Sequence, residues 1–301
     1  MKTLSVIIPI YNDEISILPF YERAKPVLES LAGVSWELVF INDGSRDGSL
    51  QTILGLRQRD PRVKVVSLSR NFGYHPVIIA GLSSRQSDLY GIIHVDCEDP
   101  PELLARFYEE IQRGAQTVYG DRSNRDEAAW LVFFRWLFYW INRQIADAPV
   151  RLWMAEFVMF TKVVRDAVLV NKSTFPFLRA ELGYVGYRTV ALPYLREKRT
   201  LGVSHFNFYT LTKFAVGGFL SSSTFPLRAV LYLSALGAVA YLAIVALFGL
   251  DFSQAAQLAS IASWFFLLLT TPMLALYLAR TYKDVSARPL FCVDPEGTSL
   301  D

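Results

Sequence analysis

The chain has 301 residues, 52% of them hydrophobic, and 30 Lys and Arg set against 28 Asp and Glu leave a formal charge of +2. That balance builds no basic field and argues against a nucleic-acid partner. Two distant cysteines, Cys97 and Cys292, with no CxxC, exclude a disulfide framework or zinc ribbon and fit a reducing compartment.

From the N-terminus, Met1-Lys2 leads into a short apolar run broken by Pro9, with no small-residue cleavage site. This reads as a first buried strand rather than a signal peptide. Runs of strand length follow in order at Leu4–Ile10, Glu37–Ile41, Val63–Leu68, Gly91–Val95 and Gln116–Tyr119. Helical patterns lie between and after them, at Glu14–Leu31, Gly48–Arg59, Pro76–Arg85 and Pro101–Arg113. The alternation predicts an α/β domain with a mainly parallel sheet, helices on both faces and ligands at the carboxyl ends of the strands.

Three of those strand ends carry carboxylates: Tyr11-Asn12-Asp13-Glu14, Asn42-Asp43-Gly44-Ser45-Arg46-Asp47, and His94-Val95-Asp96-Cys97-Glu98-Asp99. No GxGxxG follows the first strand and no GxxxxGK(S/T) occurs, which disfavours dinucleotide redox and P-loop chemistry. Carboxylates in place of a glycine cradle point to ribose hydroxyls and a hard cation that would in turn hold a diphosphate. Asp13, Asp47 and Asp60 are expected to be caps or surface charges.

Two stretches near the C-terminus, Ala229–Leu250 and Ala255–Ala279, carry no charge. At ~1.5 Å per residue the first reaches about 33 Å, enough for a hydrocarbon core of roughly 30 Å. With a polar turn at Asp251-Phe252-Ser253-Gln254 they predict a transmembrane hairpin. Arg228 precedes the first span, Arg280 and Lys283 follow the second, and the turn has no Lys or Arg, so the domain and the tail are expected on the cytoplasmic side. The aromatic run Trp130–Trp140 and the stretch Phe206–Phe225 are expected at headgroup depth. The expected layout is a cytoplasmic domain over 1–205, an interfacial helix region over 206–228, two transmembrane helices over 229–280 and a cytoplasmic tail over 281–301.

The runs Val6-Ile7-Ile8-Pro9-Ile10-Tyr11-Asn12-Asp13-Glu14 and Asn42-Asp43-Gly44-Ser45-Arg46-Asp47 resemble those of family 2 glycosyltransferases. Ser69-Arg70-Asn71-Phe72-Gly73, Asp99-Pro100-Pro101-Glu102, Tyr119-Gly120-Asp121-Arg122, Arg199 with Gly202-Val203-Ser204, and Ser223-Thr224-Phe225-Pro226-Leu227-Arg228 resemble the polyprenyl-phosphate glycosyltransferases within that family. The resemblance covers nearly the whole chain in the right order. It implies a GT-A type fold, a nucleotide-diphospho-sugar donor (UDP-sugar favoured, GDP-mannose open), a divalent cation, Mg2+ or Mn2+, and a polyprenyl phosphate acceptor in the bilayer, by analogy the bacterial inner membrane.

By position in those motifs, the resemblance assigns Pro9, Tyr11, Glu14, Asp43 and Asn71 to the donor, with His94, Asp96 and Glu98 as the metal set. Arg122, Arg125, Arg199, Ser204 and His205 are assigned to the acceptor phosphate, and Asp96, Arg122 and Arg199 to catalysis. Two residues depart from the pattern: His94 replaces the first acid of the Asp-x-Asp signature, and His205 stands where relatives carry Lys. An imidazole suits Mn2+ better than Mg2+. The implied reaction is single displacement with inversion. Two alternatives stay open, a glycosyltransferase with another acceptor, disfavoured by the lack of a QxxRW-like motif, and a non-catalytic nucleotide-sugar binder. The aromatic surface leaves room for self-association.

Overall fold

A computed structural model of the chain describes residues 1–122, 136, 137, 140, 154–171, 173–197 and 223–300. Strands β1 (Lys2–Ile10), β2 (Val34–Asn42), β3 (Val63–Leu68) and β4 (Leu89–Ile92) alternate with helices α1 (Glu14–Glu29), α2 (Ser49–Arg59) and α3 (Tyr74–Ser84). Helix α4 (Leu103–Gln112) and strand β5 (Thr117–Asp121) follow, then β6 (Met154–Thr161), α5 (Lys162–Leu169), α6 (Leu178–Tyr184) and β7 (Thr189–Pro193). Two long helices, α7 (Phe225–Phe248) and α8 (Phe252–Val285), precede a last strand, β8 (Val293–Ser299).

All eight strands form one sheet in the order β7-β5-β6-β4-β1-β2-β3-β8. The β1–β2, β2–β3, β1–β4 and β5–β7 pairs are parallel, whereas β6 runs antiparallel to β4 and β5, and β8 antiparallel to β3. The sheet is therefore mixed and mostly parallel. Strand order reverses between β1 and β4, which opens a crevice at their carboxyl ends.

The period of two sorts β1 and β2 across the sheet. Leu4, Val6, Ile8, Leu38 and Phe40 pack into the core under α1, α2 and α4, while Ile7, Val39 and Ile41 pack into the core under α3. Helix α3 sits so close that a Cβ on Gly81 would lie 2.4 Å from Ile7 Cγ2.

The five strands expected up to Tyr119 and the four helices between them lie where expected, within a few residues. Strands β6, β7 and β8 were not anticipated. The stretch expected as a tail is bound into the structure: α8 continues to Val285, and Val293–Ser299 completes the sheet edge. The turn of the hairpin is Gly249–Asp251, with Gly249 in the left-handed region (φ 58) and Asp251 closing a capping box with Gln254. Both α7 and α8 are long and apolar enough to cross a membrane, and their most apolar windows are 0% and 6% buried within the protein. Trp136 and Trp140 are helical, half-exposed and stacked at 6.3 Å. The rest of the 130–140 run, and 206–222 of the second interfacial stretch, lie outside the described residues.

Candidate active site

The loops after β1 and β2 are built on each other. Asn12 takes a left-handed backbone (φ 49), its N–H donates to Ser45 Oγ at 3.1 Å, and its Oδ1 accepts from Arg46 N at 2.8 Å. Gly44 (φ 62) must be glycine, because a Cβ there would meet the Arg70 carbonyl carbon at 2.5 Å. Asp43 is buried, and its two oxygens accept the Phe72 and Gly73 N–H groups at 2.7 and 3.0 Å. Burial raises its carboxyl to about 6, against the lowering effect of those two hydrogen bonds. Glu14 accepts the Gly48 N–H at 3.1 Å, so it caps the start of α2. Asp47 accepts from Ser49 N and Glu14 N and Asp13 from the Ser16 hydroxyl, both beside helix starts, whereas Asp60, just after α2, is buried in its pair with Arg62 rather than a surface charge. Pro9 is the penultimate residue of β1, and Tyr11 and Asn71 are exposed beside these loops.

After β4, the chain turns sharply at Cys97, another left-handed residue (φ 54). Within the turn Asp96 Oδ1 accepts the Glu98 N–H at 3.2 Å. Burial pushes the Cys97 thiol up to about 11, which keeps it neutral. The turn is clasped from the far side. Arg122 NH2 donates to both oxygens of buried Asp99 at 2.7 and 2.6 Å, and its Nε donates to the Tyr194 hydroxyl at 2.7 Å. Tyr194 also bonds Asp99, Arg196 pairs with Glu98, and Glu197 pairs with Arg23 at 2.7 Å. Burial alone would lower the Arg122 guanidinium, but Asp99 and Tyr194 outweigh it and raise its pKa. The segment 194–197 is thus fastened to the Asp96 turn.

Sequence reasoning missed a buried cluster beneath His94. The His94 ring stacks on Tyr74 at 5.1 Å, and Tyr74 meets His75 edge-on at 5.4 Å. Glu156, from β6, pairs with Arg179 of α6 at 3.2 Å. Burial would raise the Glu156 carboxyl, but the charges of Arg179, then His75 and His94, outweigh it and hold it below the usual range. The one available signal was a carboxylate inside the otherwise apolar run Met154–Phe160.

Phe175 and Phe177 pack edge-on against His75 at 5.0 and 5.5 Å. Their loop is tied to the foot of α8: Thr174 N and Oγ1 donate to Asp284 Oδ1 at 2.8 and 2.6 Å, and Arg280 NH2 donates to Ser173 Oγ at 3.2 Å. The apolar hairpin therefore ends against the loop that packs beside His75, Tyr74 and His94.

Of the assigned site residues, the structure brings Pro9, Tyr11, Glu14, Asp43 and Asn71 to one group of loops, and His94, Asp96, Glu98 and Arg122 to the adjoining strand end. Arg125, Arg199, Ser204 and His205 lie outside the described residues. Among the described residues no three His, Cys, Asp or Glu side chains are grouped to hold a metal, and Glu98 is engaged by Arg196. The donor set at hand, one or two side chains from His94 and Asp96, fits a cation that takes its remaining ligands from water and a diphosphate, Mg2+ on Asp96 alone or Mn2+ where the imidazole joins it.

Residues 5–165 match the family described as Glycosyl transferase family 2. The chain is 34% identical over 232 residues to the bactoprenol glucosyl transferase of Shigella phage SfX, covering 76% of this chain and 75% of that protein. It is 31% identical over 301 residues to the prophage bactoprenol glucosyl transferase homolog of Escherichia coli (strain K12), covering 96% of this chain and 98% of that protein. It is 29% identical over 310 residues to the undecaprenyl-phosphate 4-deoxy-4-formamido-L-arabinose transferase of Pseudomonas paraeruginosa, covering 97% and 89%.

Proposed function

The chain belongs to glycosyl transferase family 2, and from that premise we propose that it transfers a sugar from a nucleotide-diphospho-sugar to a polyprenyl phosphate at the cytoplasmic face of a membrane. The observation that carries this reading is the bonding of the apolar hairpin, through Asp284 and Arg280, to the loop that packs beside His75, Tyr74 and His94. Such a placement lets a polar strand edge work on a headgroup while its lipid stays in the bilayer. The names of the relatives, which act on bactoprenol or undecaprenyl phosphate, support the same acceptor class.

The acceptor phosphate is ionised near neutral pH, so one of its oxygens attacks the anomeric carbon without a strong base. The bond from that carbon to the donor diphosphate breaks, the electron pair leaves on the nucleoside diphosphate, and the anomeric centre inverts. A divalent cation, when bound, neutralises charge developing on the diphosphate. Asp96, with His94, would hold it. Asp43, Tyr11, Pro9, Asn71 and Glu14 form the donor loops, with Asp43 fixing the Phe72–Gly73 backbone and Glu14 fixing the start of α2. Arg122 supports the Asp96 turn through Asp99, and Arg125, Arg199, Ser204 and His205 would receive the acceptor phosphate. Most of the barrier reduction would come from positioning and fixed charge.

The test is sugar transfer by detergent-purified protein to undecaprenyl phosphate, with a panel of labelled UDP- and GDP-sugars and Mg2+, Mn2+ or EDTA. Labelled lipid from one donor, lost with EDTA, is the expected result. Donor binding without transfer to undecaprenyl or dolichyl phosphate would sink the proposed acceptor.

A further inference from the structure

We propose that β8, the strand returning from the membrane hairpin, positions the donor loops through a relay of half-buried Thr298 and buried Ser67 and Asn42. The inference rests on the donor site proposed above. Strand β8 pairs Ser299 with Val65, then Asp294 with Ser67 and Val293 with Leu68, with a shift of register between Val65 and Ser67. At that shift a side chain replaces the backbone acceptor: Thr298 Oγ1 takes the Ser67 N–H at 3.0 Å. Ser67 Oγ in turn accepts from Asn42 Nδ2 at 3.0 Å, and both residues are 2% exposed.

Asn42 carries the relay onward to the strand edge. Its Oδ1 accepts the Ser45 N–H at 3.1 Å, and Ser45 Oγ accepts the Asn12 N–H at 3.1 Å, which joins the loops after β2 and β1. A second strap acts nearby, where the Ser69 N–H donates to the Cys292 carbonyl at 3.0 Å, just before Asn71. There is no slack in the contact: a Cβ on Gly297 would lie 2.7 Å from Ser67 Cβ.

Covering the open edge of β3 would need only a backbone ladder. The side chains that run from half-buried Thr298 through buried Ser67 and Asn42 to Ser45 and Asn12 go beyond that need. A buried polar network holds one arrangement only while every member is satisfied. Without the Thr298 hydroxyl the Ser67 N–H loses its acceptor, and Ser67 and Asn42 can re-aim. The donor loops are thereby completed by a segment that reaches them only after the chain has passed through the membrane hairpin.

The experiment compares full-length wild type with Thr298→Val, Thr298→Ser and Arg57→Ala in detergent. Arg57 bonds Ser299 at 3.4 Å, at the end of β8 and off the relay. The readouts are UDP and GDP binding by calorimetry, donor KM and kcat, Tm, and amide exchange of residues 11–14 and 42–48. Thr298→Val is expected to raise donor KM and the nucleotide Kd about tenfold, the scale of one lost buried hydrogen bond, with kcat held within about twofold. Exchange in both loops should rise, Thr298→Ser should restore all three values, and Arg57→Ala should move Tm alone. Thr298→Val that lowers Tm with loop exchange and nucleotide binding unchanged would overturn the relay and leave β8 as an edge cover. Should wild type bind and transfer no nucleotide sugar, the functional reading fails, and the exchange data still decide the relay.

Discussion

Burial governs the titration of Asp43, whose carboxyl is pushed up to about 6 although two backbone N–H groups and Arg70 favour its charged form. The folded chain therefore holds this proton more tightly than the unfolded chain does. Its contribution to folding is fully present below about pH 4 and is lost as pH rises through about 6. Function runs the opposite way, since only the ionised carboxylate has spare acceptor capacity for ribose hydroxyls beyond the Phe72 and Gly73 amides. We expect kcat/KM for the donor to rise through about pH 6 and Asp43→Asn to flatten that limb while narrowing the Tm difference between pH 5 and pH 7. A limb that survives in Asp43→Asn would assign the titration elsewhere. The Arg122–Asp99 pair acts by a different term. Asp99 is 1% exposed, so Arg122→Met would strand a buried charge at a cost of roughly 3–5 kcal/mol, read as a lower urea midpoint. Adding Asp99→Asn should recover a large part of that loss, because the charge that was stranded is then gone.

At the scale of elements, α3 matters because its first turn supplies Tyr74 and His75. The helix lies flat on β1 and β2 only because Gly81 has no Cβ; an Ala methyl would press on Ile7 and, at 3.1 Å, on Ile41. Gly81→Ala should cost about 1–3 kcal/mol by overpacking and lower kcat as the first turn shifts under His94, measured by urea unfolding and by sugar transfer. The helix itself was legible, as were β1 to β4, because β-branched runs punctuated by Asn-Asp-Gly and Asp-x-x-Asp-Pro turns leave little choice of conformation. Strand β6 was harder: buried on both faces and carrying Glu156, Met154–Thr161 has neither alternation nor a helical period. Strand β8 was not legible at all, since Val293-Asp294-Pro295-Glu296-Gly297-Thr298-Ser299 is polar and holds Pro and Gly. It is a strand because β3 offers an open edge where α8 delivers the chain. The site divides the same way. Asp43 and Asp96 stand in local motifs, whereas Tyr74, Glu156 and Arg179 come from three elements with no spacing in common and meet only once the sheet is formed.

The whole molecule is organised by the mismatch between α8 and a bilayer. Its 34 residues reach about 51 Å, some 20 Å more than a hydrocarbon core of roughly 30 Å. The surplus lies at the Arg280–Val285 end, where Asp284 and Arg280 bond the loop at Ser173–Thr174, so a helix that crosses a bilayer as proposed would leave it as a stalk carrying the α/β domain. The opposite end of the hairpin, Gly249–Asp251, is short and lacks Lys and Arg, while Arg228, Arg280 and Lys283 all sit on the domain side. Charge of that kind supports the proposed orientation, since Lys and Arg near span ends are usually retained in the cytoplasm. In intact bacterial cells a membrane-impermeant maleimide should therefore label Ser253→Cys and leave wild type unlabelled, because the proposed orientation puts Cys97 and Cys292 inside. Inverted vesicles should reverse the pattern, with exposed Cys292 reacting and Ser253→Cys adding nothing. Labelling of Cys292 from outside intact cells would place the strand edge on the wrong side for a cytoplasmic nucleotide sugar, and the donor assignment would fall with the orientation.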